Sequence, residues 1–579
     1  IMLFARLGLP HNWRARAQYT LLESEFGEGL SFIRLWERWR QEPTRPVRLH
    51  FVALSPSLVE APVLRARLRA QTPPEVHDLV EQLVRQWPLN MPGTHRLDFE
   101  ELDVTLTLAV GPVERTLPSL AAAVDAVLFS DHVENAEGPL ASLWQKSLPR
   151  LARDPARLWL ALADGQIVQG CQPSTLSSAE HTYSVTEHML RQPEIEKEQR
   201  HAVVVGAGIA GAGVAHALAL RGWRVQVLDV AHRRSQAHGG HLAAALTPMV
   251  TRDDDIRARL SRAGSLRAQA RWSHVSQEVL WRCGALQLER VSGRIVDLAG
   301  VLEGLTLPEQ WVRYVSCAQA SDIAGLPLNR GGLYFPSAAC IRPERLIEAL
   351  LQTPGIECVD AKVGRVERVN GQWHVLDVQG ELRAQAPQVI LASAFGTQAL
   401  LQQSGQLDQG ARIAAMHQLG GEITLLPQQL LAGGPRCIVS GDGYVLPSLD
   451  GLCAVGSSYV HGAQQIETSR EGVRGNLSRA AGLLGRPELS ELFNNGESHI
   501  ASNQACAQAL MGWAGWRAVL PGRLPAIGPI AHTEGLWVAT GFASRGLTWS
   551  SLAGDLIAGA LSGEPLALER DIMDKISQT

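Results

Sequence analysis

The sequence predicts an α/β protein in two large blocks, the second organised round a doubly wound parallel sheet. Three observations carry this reading. An apolar strand over 202–205 runs directly into a glycine-rich turn and a helix. A polar stretch over 184–200, poor in bulky apolar residues, separates it from what precedes. The length, 579 residues, exceeds what one hydrophobic core ordinarily fills.

The elements follow in order. After the strand over 202–205 comes Gly206-x-Gly208-x-x-Gly211. Gly206 permits the tight turn, Gly208 lets backbone approach a pyrophosphate, and Gly211 lets the helix pack close to the sheet. A helix is predicted over 209–220, its N-terminus offering N–H groups and a positive dipole end to an anion. Arg221-Gly222 ends it, and a second strand over 224–228 leads to Asp229, where a carboxylate can accept ribose hydroxyls. A lone glycine motif is weak. Strand, helix, second strand and acid together favour a dinucleotide site over a packing turn in another α/β fold. Two later segments return toward that site. One is a strand over 389–393 followed by Gly396. The other runs over 534–547, a strand entering Thr540-Gly541 with a helix predicted over 550–561.

Composition narrows the class. Hydrophobic residues are 45% and charged residues 19%, which supplies a core and excludes chain-wide disorder. The longest apolar candidate, 117–129, is short and contains Asp125, so no membrane span is predicted. A net charge of −4 excludes a globally basic nucleic-acid binder; such contact would need a local patch. The eight cysteines are scattered without a CxxC pair, which suits free thiols in a reducing compartment. No signal peptide is read at the start, so a cytoplasmic protein is expected. The 18 histidines show no metal-ligand spacing, and no metal is expected. His238 and His241 are read as phosphate or backbone contacts. Arg65, Arg67 and Arg69 read as a solvated helix face, Trp36 and Trp39 as core, and 252–255 as a helix start with carboxylates near its positive end.

The three glycine-bearing segments together resemble the glycine oxidase/D-amino-acid oxidase class of flavoproteins. The last 380 or so residues resemble more specifically the oxidoreductase half of the MnmC family of bifunctional tRNA wobble-uridine modification enzymes. The matching stretches are 238–248, 332–336, 441–447, Gly515-Trp516-Arg517, 523–529 and Ser544-Arg545-Gly546-Leu547. Thr247 replaces the family's aromatic, and Gly420-Gly421-Glu422 stands where it has an Arg-Gly-Gln-like segment.

The resemblance implies FAD as cofactor, with Gly206, Gly208, Gly211, Asp229, Gly541, Ser544, Gly546 and Leu547 at its site. It implies tRNA as substrate, carrying a carboxymethylaminomethyl group that is oxidised to an imine and hydrolysed to glyoxylate. A glycine-like carboxylate suits a guanidinium fork. Arg517 and Arg545 are therefore the catalytic candidates, with Tyr444 as a hydrogen-bonding partner.

Residues 19–162 resemble the family's S-adenosylmethionine methyltransferase half. Gly27, Gly29, Leu30 and Phe32 match its glycine loop. Glu25 replaces a glycine, Glu28 a small hydroxyl residue, and Ser55 the ribose-binding acid. Asp131 stands one position away from the family's acidic site. A Cβ and carboxylate at 25 would obstruct the ligand, and Glu25 and Glu28 would set negative charge near its carboxylate. Gly27, Gly29 and Asp131 are thus read as remnants of a degenerate site.

The expected architecture is a Rossmann-like methyltransferase domain (1–185), a linker (186–200) and an oxidoreductase (201–579). Its FAD-binding segments would lie near 201–250, 340–400 and 520–579. An inserted antiparallel-sheet substrate domain would fill mainly 265–335 and 405–515. Three alternatives stay open: an oxidase of a free small amine such as glycine or sarcosine, a fully bifunctional enzyme in which Asp131 still serves methylation, and a non-catalytic RNA-binding or assembly protein.

Overall fold

A computed structural model describes residues 4–5, 7–14, 16–134, 137–155, 157–161, 167–169, 184–191, 195–230, 240–291, 295–408, 411–462, 465–494 and 511–577. The chain divides into two compact units, Ile1–Gln199 with Asp555–Gln578, and Arg200–Gly554.

In the first unit, apolar runs form the strands β1 (Gln18–Glu23), β2 (Arg48–Ser55), β3 (Gly93–Phe99), β4 (Val104–Val110), β5 (Ala126–Leu128), β6 (Trp159–Ala161) and β7 (Ile167–Gln169). They make one sheet in the order β3-β4-β2-β1-β5-β6-β7. β2 and β4 are buried along their whole length, the pattern of parallel strands covered on both faces. β1, β2, β4, β5 and β6 run parallel, while β3 and β7 pair antiparallel at the edges. The helix Leu30–Gln41 buries Trp36 and Trp39, whose indole N–H groups donate to Glu100 (2.9 Å) and the Pro46 carbonyl (2.8 Å). On the helix Ala61–Gln71, Arg65 and Arg69 pair with Glu81 and Arg67 with Glu28, so this basic run is a solvated, ion-paired face.

Two departures from the sequence-based division have clear causes. The stretch 186–200 was expected to be a solvated linker. Its start lies in the helix Val185–Leu190, closed by a Ser184/Glu187 capping box and burying Thr186, Met189 and Leu190. The segment Asp555–Gln578, expected within the oxidoreductase, belongs to the first unit. Glu564, only 2% exposed, pairs with the buried guanidinium groups of Arg48 (3.0 Å) and Arg96 (3.8 Å). The Leu566 N–H donates to Ala121 O (2.8 Å), and Arg570 pairs with Glu187 (3.1 Å). Beside that cluster His50 is held neutral: burial pushes its pKa down to about 3, and its Nδ1 lies 2.8 Å from the Thr105 hydroxyl.

The second unit contains the predicted doubly wound sheet. β8 (His201–Val205) and β9 (Arg224–Asp229) flank the helix Ile209–Ala219 in sequence. The strand order is Ile356–Asp360, β9, β8, Gln388–Leu391, Leu536–Thr540, Ala526–Pro529, parallel except at the last pair. A second, mostly antiparallel nine-stranded sheet includes Gly332–Phe335, His417–Pro427, Tyr444–Val445, Leu452–Gly456 and Met511–Val519. Asp255 caps the helix Ile256–Arg271 by accepting from the Ala258 N–H at 2.9 Å, so 252–255 does start a helix. The helix predicted over 550–561 begins earlier, at Gly546, because the Trp549 N–H already reaches Arg545 O at 3.0 Å.

Candidate active site

The glycine turn follows from steric need. Gly206 has φ +111°, and a Cβ there would lie 2.6 Å from the Ala392 carbonyl oxygen. Its N–H closes the turn on Leu228 O at 2.8 Å. A Cβ at Gly211 would overlap the Gly206 carbonyl, so only glycine lets the first helical turn fold back on the strand. Gly208 caps the helix Ile209–Ala219, and its side-chain direction opens on free space. The helix thus presents unpaired N–H groups to an uncrowded volume, the setting an anionic pyrophosphate requires. Asp229, at the end of β9, accepts the N–H groups of Ala207 and Val230, both at 2.7 Å. It pins the turn, and each carboxylate oxygen retains a lone pair for a ribose hydroxyl.

The C-terminal segment is held against this turn by further glycines. Gly213 faces Ser550, Gly264 faces Thr548 and Gly554 faces Gly213, each with no room for a Cβ. Gly546 approaches Ile209, and Leu547 is buried beside Ala212 and Leu246. Gly541 adopts φ +73° against Leu520, while Ser544 is exposed. The 541–547 turn therefore lies at the N-terminal end of the helix Ile209–Ala219. The cradle fits FAD: Gly206 and Gly211 where a Cβ would meet backbone, Gly208 open at the helix N-terminus, and an acid at the second strand's end.

The three catalytic candidates occupy different settings. Arg517 projects from the strand Met511–Val519, paired with Leu419. Its guanidinium lies over Gly421, where any side chain would overlap it. Its contacts are weak, Gly420 O at 3.4 Å and the Ser457 hydroxyl at 3.2 Å, and among the described residues no carboxylate pairs with it. Tyr444 pairs with Gly456, whose missing Cβ leaves space for the phenol. Burial pushes the Tyr444 hydroxyl pKa up, so it stays protonated and able to donate. Arg545 is half-buried and donates to Thr247 O at 2.9 Å, so it clamps the segment in which Thr247 replaces the family's aromatic. Burial pulls its pKa down.

Sequence reasoning missed Ser457, Tyr459 and the two glycines that make room, Gly421 and Gly456. Tyr459 lies beneath the Arg517 guanidinium, 5.0 Å from ring centroid to carbon. Nothing local in the sequence marks these residues; strand pairing brings them together. His241 stacks on Trp513 at 4.2 Å, while His238 lies outside the described residues.

In the first unit a cavity of about 420 Å³ opens at the carboxyl ends of β1 and β5, where Glu23, Glu25, Ser31, Ser130, Asp131 and His132 line it. Gly27 and Gly29 have φ +56° and +76°, and Gly29 lies under the Phe26 ring. Glu25 is exposed and accepts from the Ser130 hydroxyl at 3.3 Å. Glu28 corrects the sequence reading: bound to Arg67 and Gln71, it is neutralised and does not line the cavity. Ser55 sits at the end of β2 with its hydroxyl donated to Ser57 O at 2.7 Å.

Residues 201–560 match the model of the FAD dependent oxidoreductase family, and 74–150 that of S-adenosyl-L-methionine-dependent methyltransferases. A Cupriavidus metallidurans protein named tRNA 5-methylaminomethyl-2-thiouridine biosynthesis bifunctional protein MnmC is 34% identical, covering 98% of this chain and 89% of its own. The chain belongs to the MnmC family of FAD-dependent oxidoreductases. A Thiobacillus denitrificans member is 31% identical over 100% of this chain and 92% of its own. The glycine oxidase of Geobacillus kaustophilus shares the fold of the second unit, with TM-score 0.50 and 19% identity over 66% of this chain and 99% of its own. FAD is the cofactor of this family, and the enzyme is an FAD-dependent oxidoreductase. Among the described residues no helix is long and apolar enough to cross a membrane.

One consequence of the cradle is measurable. Gly211→Ala pushes a methyl group into the Gly206 carbonyl and opens the turn. The purified variant is expected to carry about tenfold less flavin than the parent, a loss of ~1.4 kcal/mol in binding, read from visible absorbance per mole of protein. Full flavin content would show that the turn relaxes without cost.

Proposed function

We propose that this protein oxidatively removes the carboxymethyl group from 5-carboxymethylaminomethyluridine at the wobble position of tRNA, leaving 5-aminomethyluridine. The observation that carries this is Arg517. It is a guanidinium given room by a glycine, without a carboxylate partner among the described residues, beside a protonated tyrosine. That pair suits an N-alkylated glycine. Arg517 takes the carboxylate in its fork and Tyr444 donates a further hydrogen bond. The half-buried Arg545 holds the Thr247 segment and adds positive potential.

FAD, when bound, supplies the two-electron acceptor for oxidation of the carbon between amine and carboxylate. The C–H bond is lost together with the amine proton, giving an imine. Water adds across the C=N bond and the C–N bond breaks, releasing glyoxylate and the aminomethyl nucleoside. Here the chain's residues fix the carboxylate and orient the amine; the oxidation itself needs no side-chain nucleophile.

We further propose that the methyltransferase fold no longer transfers methyl groups. Glu25 stands at the cavity where the family has glycine, and the Ser55 hydroxyl is committed to its own turn. The acids Glu23, Glu25 and Asp131 that line the cavity oppose a carboxylate-bearing ligand. The arginines of the 65–69 run are paired with Glu28 and Glu81 at the surface, which favours a solvated face over a tRNA contact there.

The test is incubation with carboxymethylaminomethyl-modified tRNA, with and without S-adenosylmethionine, followed by nucleoside analysis. The expected product is aminomethyluridine under both conditions. Methylaminomethyluridine, or micromolar binding of S-adenosylmethionine, overturns the loss of methyl transfer. Equal activity on free glycine overturns the tRNA assignment.

A further inference from the structure

An exposed aromatic ring stands beside the carboxylate-binding candidate. Tyr459 is 56% exposed. One face of its ring carries the Arg517 guanidinium, 5.0 Å from the centroid. Gly456, three positions earlier, pairs with Tyr444, so the ring follows directly on the strand that faces a second candidate residue. The ring is not on a loose loop. Ser457 and Ser458 before it are buried. The Ser457 hydroxyl meets Arg517 at 3.2 Å, and Ser458 exchanges hydrogen bonds with Glu422, N–H to O at 3.1 Å and hydroxyl from N–H at 2.9 Å. Glu422 is itself buried and accepts from the Ser469 N–H (2.8 Å) and hydroxyl (2.9 Å) at the head of the helix Arg470–Leu484.

A single exposed aromatic is ordinary on a protein surface, but one fixed beside a carboxylate-binding candidate offers its π-face to the rest of the ligand. The proposed substrate fits this. Four single bonds separate its carboxylate carbon from C5 of the uracil ring, an extended span of roughly 5 Å. With the carboxylate on Arg517, the base falls within reach of Tyr459.

We infer that Tyr459 is the stacking platform for the wobble uracil, a specificity residue that separates a nucleobase-bearing N-alkylglycine from a free one. This inference rests on the tRNA reading above. A π-face accepts any base, so Tyr459 supplies affinity for the flipped nucleotide, and Arg517 supplies recognition of its substituent.

Steady-state kinetics of Tyr459→Ala, Tyr459→Phe and Tyr459→Trp tests it. Modified tRNA is one substrate; N-methylglycine is the comparison, as substrate or as competitive inhibitor. Tyr459→Ala is expected to raise KM for the tRNA about tenfold, within the range of one lost base stack, with kcat changed much less. The ratio of tRNA to N-methylglycine affinity falls with it, and Phe and Trp restore the ratio. If the parent enzyme shows no preference for the tRNA, the functional reading fails and this inference with it. If the parent prefers the tRNA and Tyr459→Ala leaves the ratio unchanged, this inference alone fails. Equal loss on both ligands also overturns it, since Tyr459 would then only prop Arg517.

Discussion

Arg517→Met lowers kcat/KM on the carboxymethylaminomethyl substrate by about two to four orders of magnitude while the flavin stays bound. Two charge-assisted hydrogen bonds to a carboxylate, at ~1.5–3 kcal/mol each, set that range. Methionine keeps an unbranched apolar stem and removes the guanidinium that lies over Gly421. In the free protein the guanidinium makes only long contacts, to Gly420 O and Ser457, so little folding stability is lost with it. Arg517→Lys recovers part of the rate, since an ammonium restores charge but not two parallel N–H donors. Steady-state kinetics with flavin content as control reads the result. A variant with unchanged kcat/KM would move the carboxylate site elsewhere, Arg545 being the next candidate.

The second large effect is on stability. Glu564→Ala is expected to destabilise the first unit by about 3–5 kcal/mol, because it removes the carboxylate that two buried guanidinium groups share. Arg48 and Arg96 are 10% and 3% exposed at the side chain, so water cannot take over. For a unit of this size that corresponds to a fall in Tm of roughly 10 °C. The contrast is Glu534→Ala, which removes an ion pair of similar length, 2.7 Å to Arg368, but exposed at both ends. There the change should stay within about 1 kcal/mol. Thermal scans of both variants decide the matter; equal shifts would show that the Glu564 cluster is hydrated. The pair also explains why the chain's last segment matters to its first domain: it brings a buried carboxylate to cationic side chains from β2 and β3.

How much of this was legible beforehand varies by residue. The strand–turn–helix at 201–219 was readable because its causes are local: a Cβ at Gly206 or Gly211 meets backbone a few residues away or on the next strand. The start of the last long helix at Gly546 rather than near 550 was not, because that turn is tightened by packing against Gly213 and Gly264 from distant helices. The apparent linker after 184 hid a capped helix that packs against the C-terminal segment. Glu28 looked like a charge aimed at a ligand until Arg67, 39 positions on, was seen to hold it.

The sequence by itself determined the family, the flavin cradle and the candidates Arg517 and Tyr444, because these are written in short motifs whose spacing encodes local geometry. Only the tertiary structure decided what surrounds them. Tyr459, Ser457 and the room made by Gly421 arise from cross-strand register, and Glu564 reaches Arg48 across more than five hundred positions. Side-chain environments of that kind depend on which strands pair, and no local pattern of residue types carries that information.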